Sequence, residues 1–319
     1  MKLPQNFKYK NVLITGGTGF LGKNLVPFLK ANNISVTATG RNYDLTDWTK
    51  AEELFTLKKY DLIIHGAAFQ GAGDFTLRYP ADQFFKNNLI HTNTFECWKR
   101  HQPQARMVGI GSTCSYPGNL TVLREEDYFT GPLHPSVEIY GLTKCNMQQG
   151  IKAYKNQYGL SGTTVAFATL YGPHDDFDIS RSHVVSALVQ KFCDAVHNGD
   201  ERVEVWGDGT QKRELIYVED QMLGLLMTVD NDDDLINIGS GIETSINDLA
   251  EKIKELTKFS GEIWYNTDRF VGAKRKVLNI DKAKRKFGWT TDNKMHTLEE
   301  GLNKTIEWYR KEYLGDKNV

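Results

Sequence analysis

Short apolar, β-branched runs alternate with stretches of helical period along the first half of the chain. "KNVLIT", "ISVTATG", "YDLIIHGAA", "ARMVGIGS" and "LSGTTVAFATLYGP" read as strands. "GGTGFLGKNLVPFLKAN", "TDWTKAEELFTLKK", "ADQFFKNNLIHTNTFECWKRH" and "VEIYGLTKCNMQQGIKAYKNQYG" read as helices, the second opening on Thr46 or Asp47 as N-cap. The strands are almost continuously apolar rather than alternating, as strands covered on both faces are. Strand and helix alternate through about residue 172, which predicts βαβ crossovers and a parallel sheet. Beyond that point the rhythm loosens. "SHVVSALVQKFCDAVHNG" is helical, "VEVWGDG" is a strand and turn, and "SINDLAEKIKELTKF" is a helix capped by Ser245. The segments "AKRKFGW" and "TLEEGLNKTIEWYRKEY" close the chain. The expected fold is therefore α/β: a doubly wound parallel sheet over residues 1–172, rejoined by segments of about 210–240, with a smaller C-terminal α/β lobe in 173–319.

Composition removes several classes of function. Lys+Arg (39) nearly cancels Asp+Glu (40), so no basic field points to nucleic acid. No apolar run reaches the roughly 18–20 residues of a membrane span, and "MKLPQNFKYKNVLITGG" lacks a signal-peptide pattern. Cys97, Cys114, Cys145 and Cys193 have no paired spacing, which argues against a disulfide scaffold or a metal site. The expected setting is the reducing cytoplasm.

Candidate chemistry begins at "VLITGGTGFLG". Gly16, Gly19 and Gly22 follow a strand and open a helix; Gly17, Gly19 and Gly22 also fit G-x-G-x-x-G. Glycine permits a tight turn, close backbone approach to a pyrophosphate and close helix packing, and the helix N-terminus offers free N–H groups. A dinucleotide site of this kind usually places an acidic residue at the end of the second strand. Here Gly40-Arg41 stands there. Arg41 could pair with a 2′-phosphate, which favours NADP over NAD, or could be an exposed arginine at a strand end. Asp44-Leu45, just beyond, could flank the adenine.

"YGLTK" sets Tyr140 and Lys144 one helical turn apart. An ammonium near a phenol lowers its pKa from about 10, which suits proton transfer to or from an alcohol. Y-x-x-x-K alone is common on amphipathic helices. Its weight comes from the glycine loop and from Ser112, at the end of a preceding strand.

Together these features resemble the extended short-chain dehydrogenase/reductase family of nucleotide-sugar epimerases, dehydratases and reductases. The resemblance implies a Rossmann sheet, a Ser112–Tyr140–Lys144 triad and a C-terminal nucleotide-sugar lobe. "RYPADQFFKNN", "GSTCSYP", "LYGPHDDFDISRSHVVSAL", "VWGDGTQKRELIYVED" and "INIGSG" are similar to the GDP-L-fucose synthase branch. That likeness implies NADPH-dependent 3,5-epimerisation and 4-reduction of a GDP-linked 4-keto-6-deoxy sugar. Cys114 and His183 would then be the epimerisation acid/base pair. A thiol (about 8.5) and an imidazole (about 6.5) bracket neutral pH, and inverting a centre beside a ketone needs one group to take a proton and another to return one. The implied cofactor contacts are Gly16, Gly19, Phe20, Leu21, Gly22, Arg41, Asp44, Leu45, Ala67, Ala68, Tyr140, Lys144 and Leu170. The implied substrate contacts are Ser112, Thr113, Thr169, His183, Val184, Lys191, Trp206, Arg213 and Lys276. The chain departs from the branch at Thr169 and Val271, positions that bear on the base and the sugar. Three other readings stay open: a 4-keto sugar reductase without epimerisation, for instance on a deoxyheptose; an NAD-retaining 4-epimerase; and a non-enzymatic dinucleotide-binding regulator. The family often forms homodimers, and the helices around residues 81–98 and 138–159 could supply such a contact.

Overall fold

The structure is a computed structural model that describes residues 2–71, 75–179, 181–269, 271–272, 274–290 and 295–315. The chain opens as β1 (Asn11–Thr15), α1 (Phe20–Ala31), β2 (Ser35–Ala38), α2 (Trp48–Thr56) and β3 (Leu62–His65). It continues through α3 (Phe75–Arg78), α4 (Pro80–His101), β4 (Arg106–Ser112) and β5 (Val122–Leu123) to α5 (Glu138–Tyr158). β6 (Gly162–Phe167), β7 (Thr169–Tyr171), α6 (Val184–Asn198), β8 (Arg202–Trp206) and β9 (Lys212–Tyr217) follow. The last third holds α7 (Val218–Thr228), β10 (Leu235–Ile238), β11 (Glu243–Ser245), α8 (Ile246–Thr257), β12 (Glu262–Asn266), β13 (Val277–Leu278), α9 (Asp281–Phe287) and α10 (Leu298–Tyr313).

The main sheet has the order β10-β6-β4-β3-β1-β2, every neighbour parallel. Its strands read as unbroken apolar runs because both faces are covered. Val12 and Ile14 feed one hydrophobic cluster while Leu13, between them, feeds the other. Leu62 and Ile64 against Ile63, and Val108 against Met107, divide in the same way. Full burial of each such side chain stabilises by about 1.5–3 kcal/mol. The strand order reverses between β1 and β3, and in open α/β sheets ligands bind outside the carboxyl ends of strands at such a point.

Asp47 caps α2, accepting from the N–H groups of Thr49 and Lys50, and Ser245 caps α8 through the N–H of Asp248. One expectation needs correction. "LSGTTVAFATLYGP" is not a single strand: it breaks at Ala168, so that β6 stays in the main sheet and β7 leaves to pair with β9. The break opens the carboxyl edge of the sheet and turns the following loop toward the later elements. The strands β5, β11 and β13, which form the pairs β5–β13 and β9–β11, leave no sign in the sequence, because two or three residues carry no readable period. β10 returns to the main sheet beside β6, and the larger core cluster runs without interruption from Tyr9 to Tyr309.

Candidate active site

Four chain segments meet at the carboxyl end of the sheet. The first is the β1–α1 turn. Gly16 has φ +71, and a Cβ there would lie 2.9 Å from the Ala67 Cα. A Cβ on Gly22 would lie 2.2 Å from the Gly17 carbonyl oxygen. These two glycines let the turn press against the β3 exit and let α1 start close beneath it. The α1 N-cap is Gly19, with no side-chain cap, so the first amides of a 12-residue helix stay available to an anion. Phe20 and Leu21 are half-buried in that first turn. Ala67 and Ala68 lie opposite, and the Ala67 N–H donates to Thr15 Oγ1 at 3.2 Å. The cradle fits a dinucleotide pyrophosphate. Gly16→Ala should cost about 1–2 kcal/mol from the left-handed backbone alone, with further loss from the contact. We expect a lowered thermal midpoint and weakened NADPH binding in a fluorescence titration.

Arg41 follows β2, is exposed, and makes no hydrogen bond or ion pair among the described residues. Asp44 is turned into its own loop, where it accepts from the Thr46 N–H at 2.9 Å and hydroxyl at 2.8 Å. The Leu45 side chain is buried in the smaller core cluster, and its carbonyl accepts from Asn93. Of the three, Arg41 alone presents a charge without a partner among the described residues. Arg41→Ala should raise KM for NADPH about 10- to 100-fold, the worth of a charged hydrogen bond, and leave KM for NADH within about twofold in steady-state assays.

The second segment is the β4 exit. Ser112 ends the strand, and its Oγ accepts the Cys114 N–H at 3.1 Å, capping a short 3₁₀ turn over Thr113–Ser115. The hydroxyl proton of Ser112 is thereby left to point elsewhere. Cys97, Cys145 and Cys193 are buried; Cys114 is a free thiol that is only half-buried, like Thr113 beside it. The third segment is α5, which packs on this turn so closely that a Cβ on Gly141 would lie 2.3 Å from the Cys114 carbonyl oxygen. Tyr140 and Lys144 project from the same helix. Lys144 Nζ donates to the Ile110 carbonyl at 2.8 Å and lies 5.9 Å from the Tyr140 ring centroid.

The electrostatics correct one expectation. Lys144 does not lower the Tyr140 phenol. Burial pushes the phenol up, and a Cys114 thiolate would push it further. Burial likewise pushes Lys144 down to about 8, with Cys114 acting the other way. Both groups are desolvated together, and burial sets the direction of each. Tyr140 therefore holds its proton at neutral pH, the form a general acid needs. For Lys144, the folded value of about 8 lies below the ordinary 10.5. Between those values the unfolded chain binds more protons, so stability rises with pH. Across that window the difference in thermal midpoint between wild type and Lys144→Met should move in favour of wild type.

The fourth segment comes from the later elements. Glu214, on β9, is buried; it accepts from the Gly241 N–H at 2.8 Å and the Leu278 N–H at 2.7 Å. Burial pushes its carboxyl up to about 7. These bonds tie β13 to β9 and so bring Lys276 near Arg213. Burial lowers the pKa of both, most simply because each is kept from water; a Cys114 thiolate would offset the effect at Lys276 and Arg213 adds to it. His134, unforeseen in the sequence, faces the same pair. Burial, then Lys276, then Arg213 push it down. Its Nδ1 accepts the Ser136 N–H at 3.3 Å, which leaves Nε2 to carry the proton. Nothing local in "GPLHPS" signals this role.

Farther out, Lys191 Nζ donates to the Glu204 carbonyl at 2.8 Å, and Trp206 Nε1 donates to the Glu204 carboxylate at 3.0 Å. Lys191 and Arg269 lie 5.4 and 5.3 Å from the Trp206 ring. Thr169 and Leu170 are half-buried on β7. His183 is exposed as N-cap of α6, followed by Val184, and no hydrogen bond joins it to Cys114 among the described residues. Behind the site, His65 Nδ1 lies 2.8 Å from Thr15 Oγ1 and its Nε2 lies 2.8 Å from His91 Nδ1. Burial pushes His65 down to about 3, so this pair is neutral structure. Among the described residues no cluster of His, Cys, Asp and Glu could hold a metal ion, and no helix is long and apolar enough to cross a membrane.

A sequence profile of the NAD dependent epimerase/dehydratase family matches residues 12–239. GDP-L-fucose synthase 1 of Arabidopsis thaliana is 32% identical over 95% of this chain and 94% of its own. Among solved structures, a GDP-6-OMe-4-keto-L-xylo-heptose reductase from C. jejuni superposes with TM-score 0.85 at 25% identity, covering 95% of this chain and 98% of that one. A GDP-mannoheptose C4 reductase from Campylobacter jejuni with NADP bound gives TM-score 0.81 at 25% identity over 94% and 98%.

Proposed function

For a chain that belongs to the NAD-dependent epimerase/dehydratase family, we propose an NADPH-dependent epimerase/reductase that inverts C3 and C5 of a GDP-linked 4-keto-6-deoxy sugar and reduces its C4. The observation that carries this reading is Cys114: a free, half-buried thiol two residues beyond Ser112, within electrostatic reach of Tyr140, Lys144 and Lys276. A reductase needs the serine, tyrosine and lysine; the thiol has a task only where a proton moves on carbon.

The residues divide the work as follows. The glycine turn and the first amides of α1 would hold the cofactor pyrophosphate, Arg41 its 2′-phosphate, and Lys144 its ribose. When bound, the dihydronicotinamide supplies a hydride. Ser112 offers a hydrogen bond to the C4 ketone oxygen, which makes the neighbouring C–H groups more acidic. Cys114 and His183 take and return protons on opposite faces of those carbons. Tyr140 gives its proton to the C4 oxygen as the alcohol forms. Arg213, Lys276 and His134 form a donor-rich wall suited to the diphosphate, with Lys191 and Trp206 toward the nucleoside. The test is NADPH oxidation against GDP-4-keto-6-deoxymannose, with the product's C3 and C5 configuration read by NMR. Inverted centres support the reading. Reduction with both centres unchanged supports the second reading, a C4 reductase, which the exposed position of His183 favours.

We extend the proposal to a cytoplasmic homodimer. α4 and α5 pack side by side, with Asn146 Nδ2 donating to Asn88 Oδ1 at 3.0 Å. Phe84, Phe85 and Tyr158 are left exposed on these helices. Sedimentation equilibrium should give twice the chain mass.

A further inference from the structure

The loop between β7 and α6 holds a carboxylate that the proposed chemistry does not use. Asp175 is 7% exposed and forms no ion pair among the described residues. Its Oδ1 accepts the Asp176 N–H at 2.8 Å, and its Oδ2 accepts the hydroxyl of Ser186. Ser186 is fully buried in the first turn of α6, three residues beyond the N-cap His183. The imidazole of His183 makes no capping bond of its own. The loop backbone is unusual: His174 has φ 71, a region that non-glycine residues seldom adopt. The His174 ring packs on Trp308 at 5.0 Å and Phe177 packs on Tyr309 at 4.9 Å, which anchors the loop to α10. Burial pushes the Asp175 carboxyl up, and the charge of a protonated His183 is the largest influence in the other direction. Backbone strain of this kind persists where the surrounding structure over-determines it, and it clusters at functional sites.

We infer that Asp175 is a positioning residue for His183: through Ser186 it fixes the first turn of α6, the helix end that carries the imidazole that moves the ring-carbon proton. This rests on the reading of His183 as the partner of Cys114. The loop's shape and the Ser186 bond converge on the one helix end from which that histidine projects.

The test compares Asp175→Asn, Ser186→Ala and His183→Ala in the full-length protein. Ring deuterium uptake is followed in deuterated water, and NADPH oxidation is followed separately with an already epimerised 4-ketone. Asp175→Asn should slow deuterium uptake roughly 10- to 100-fold, the scale of a misplaced catalytic group, and leave reduction of the epimerised ketone and NADPH affinity within about twofold. Ser186→Ala should show the same selective loss, smaller in size, and decides the matter if Asp175→Asn does not fold. Equal loss of both activities would overturn the inference in favour of a structural role. Wild-type uptake in Asp175→Asn and Ser186→Ala, with none in His183→Ala, would overturn the inference alone. Wild-type uptake in His183→Ala would overturn the inference together with the reading it rests on.

Discussion

Cys114→Ala is expected to abolish hydrogen exchange at the sugar ring while NADPH oxidation of an already epimerised ketone stays within about twofold of wild type. General acid–base groups contribute typically 10²–10⁴-fold, and uptake should fall by that order. The separation of the two activities follows from position. Cys114 lies on the 3₁₀ turn that Ser112 caps, and Ser112 meets that turn through its oxygen and the Cys114 backbone N–H, not through the thiol. Removing the sulfur leaves the cap, the α5 contact at Gly141 and the Lys144 bond to Ile110 in place. The variant should therefore keep its NADPH affinity. Ring exchange is read by mass spectrometry of recovered ketone, reduction by the absorbance of NADPH.

Tyr140→Phe is expected to do the reverse. Reduction should fall about 10²–10⁴-fold, with NADPH affinity unchanged and ring deuterium still accumulating in unreduced ketone. Burial keeps the phenol protonated, so its contribution is the proton given to the C4 oxygen. That proton is not needed while Ser112 alone polarises the ketone for exchange. Lys144 keeps its bond to Ile110 whether or not a hydroxyl stands on the neighbouring ring. The two variants thus form a pair of opposite losses, which general damage to the site could not produce.

The parts of the site legible in the sequence are those fixed by local geometry. Gly16 and Gly22 could be read because a left-handed turn and a close helix start admit little else. Tyr140 and Lys144 could be read because i and i+4 share a helix face. What could not be read depends on packing between distant segments. His134 gains its surroundings from Arg213 and Lys276, far away in the chain, and Glu214 makes that meeting possible by holding Gly241 and Leu278. The Tyr140 shift runs opposite to the direction expected from spacing for the same reason: spacing gives the neighbour, whereas burial, which decides the sign, is a property of the folded whole. The break at Ala168 was hidden because β6 and β7 are both apolar, and only their pairing with different sheets tells them apart. At Asp44 and Leu45, motif spacing leaves unread what the fold adds: Asp44 closes its own turn and the Leu45 side chain fills core.

The central claim is that one site moves protons on carbon and then reduces the ketone beside it. Its most direct test is the count of solvent deuterons in the product formed from GDP-4-keto-6-deoxymannose and NADPH in deuterated water. The account predicts two deuterons on ring carbons, at C3 and C5, with the C4 hydrogen coming from NADPH. A product reduced at C4 that carries no ring deuterium would contradict it.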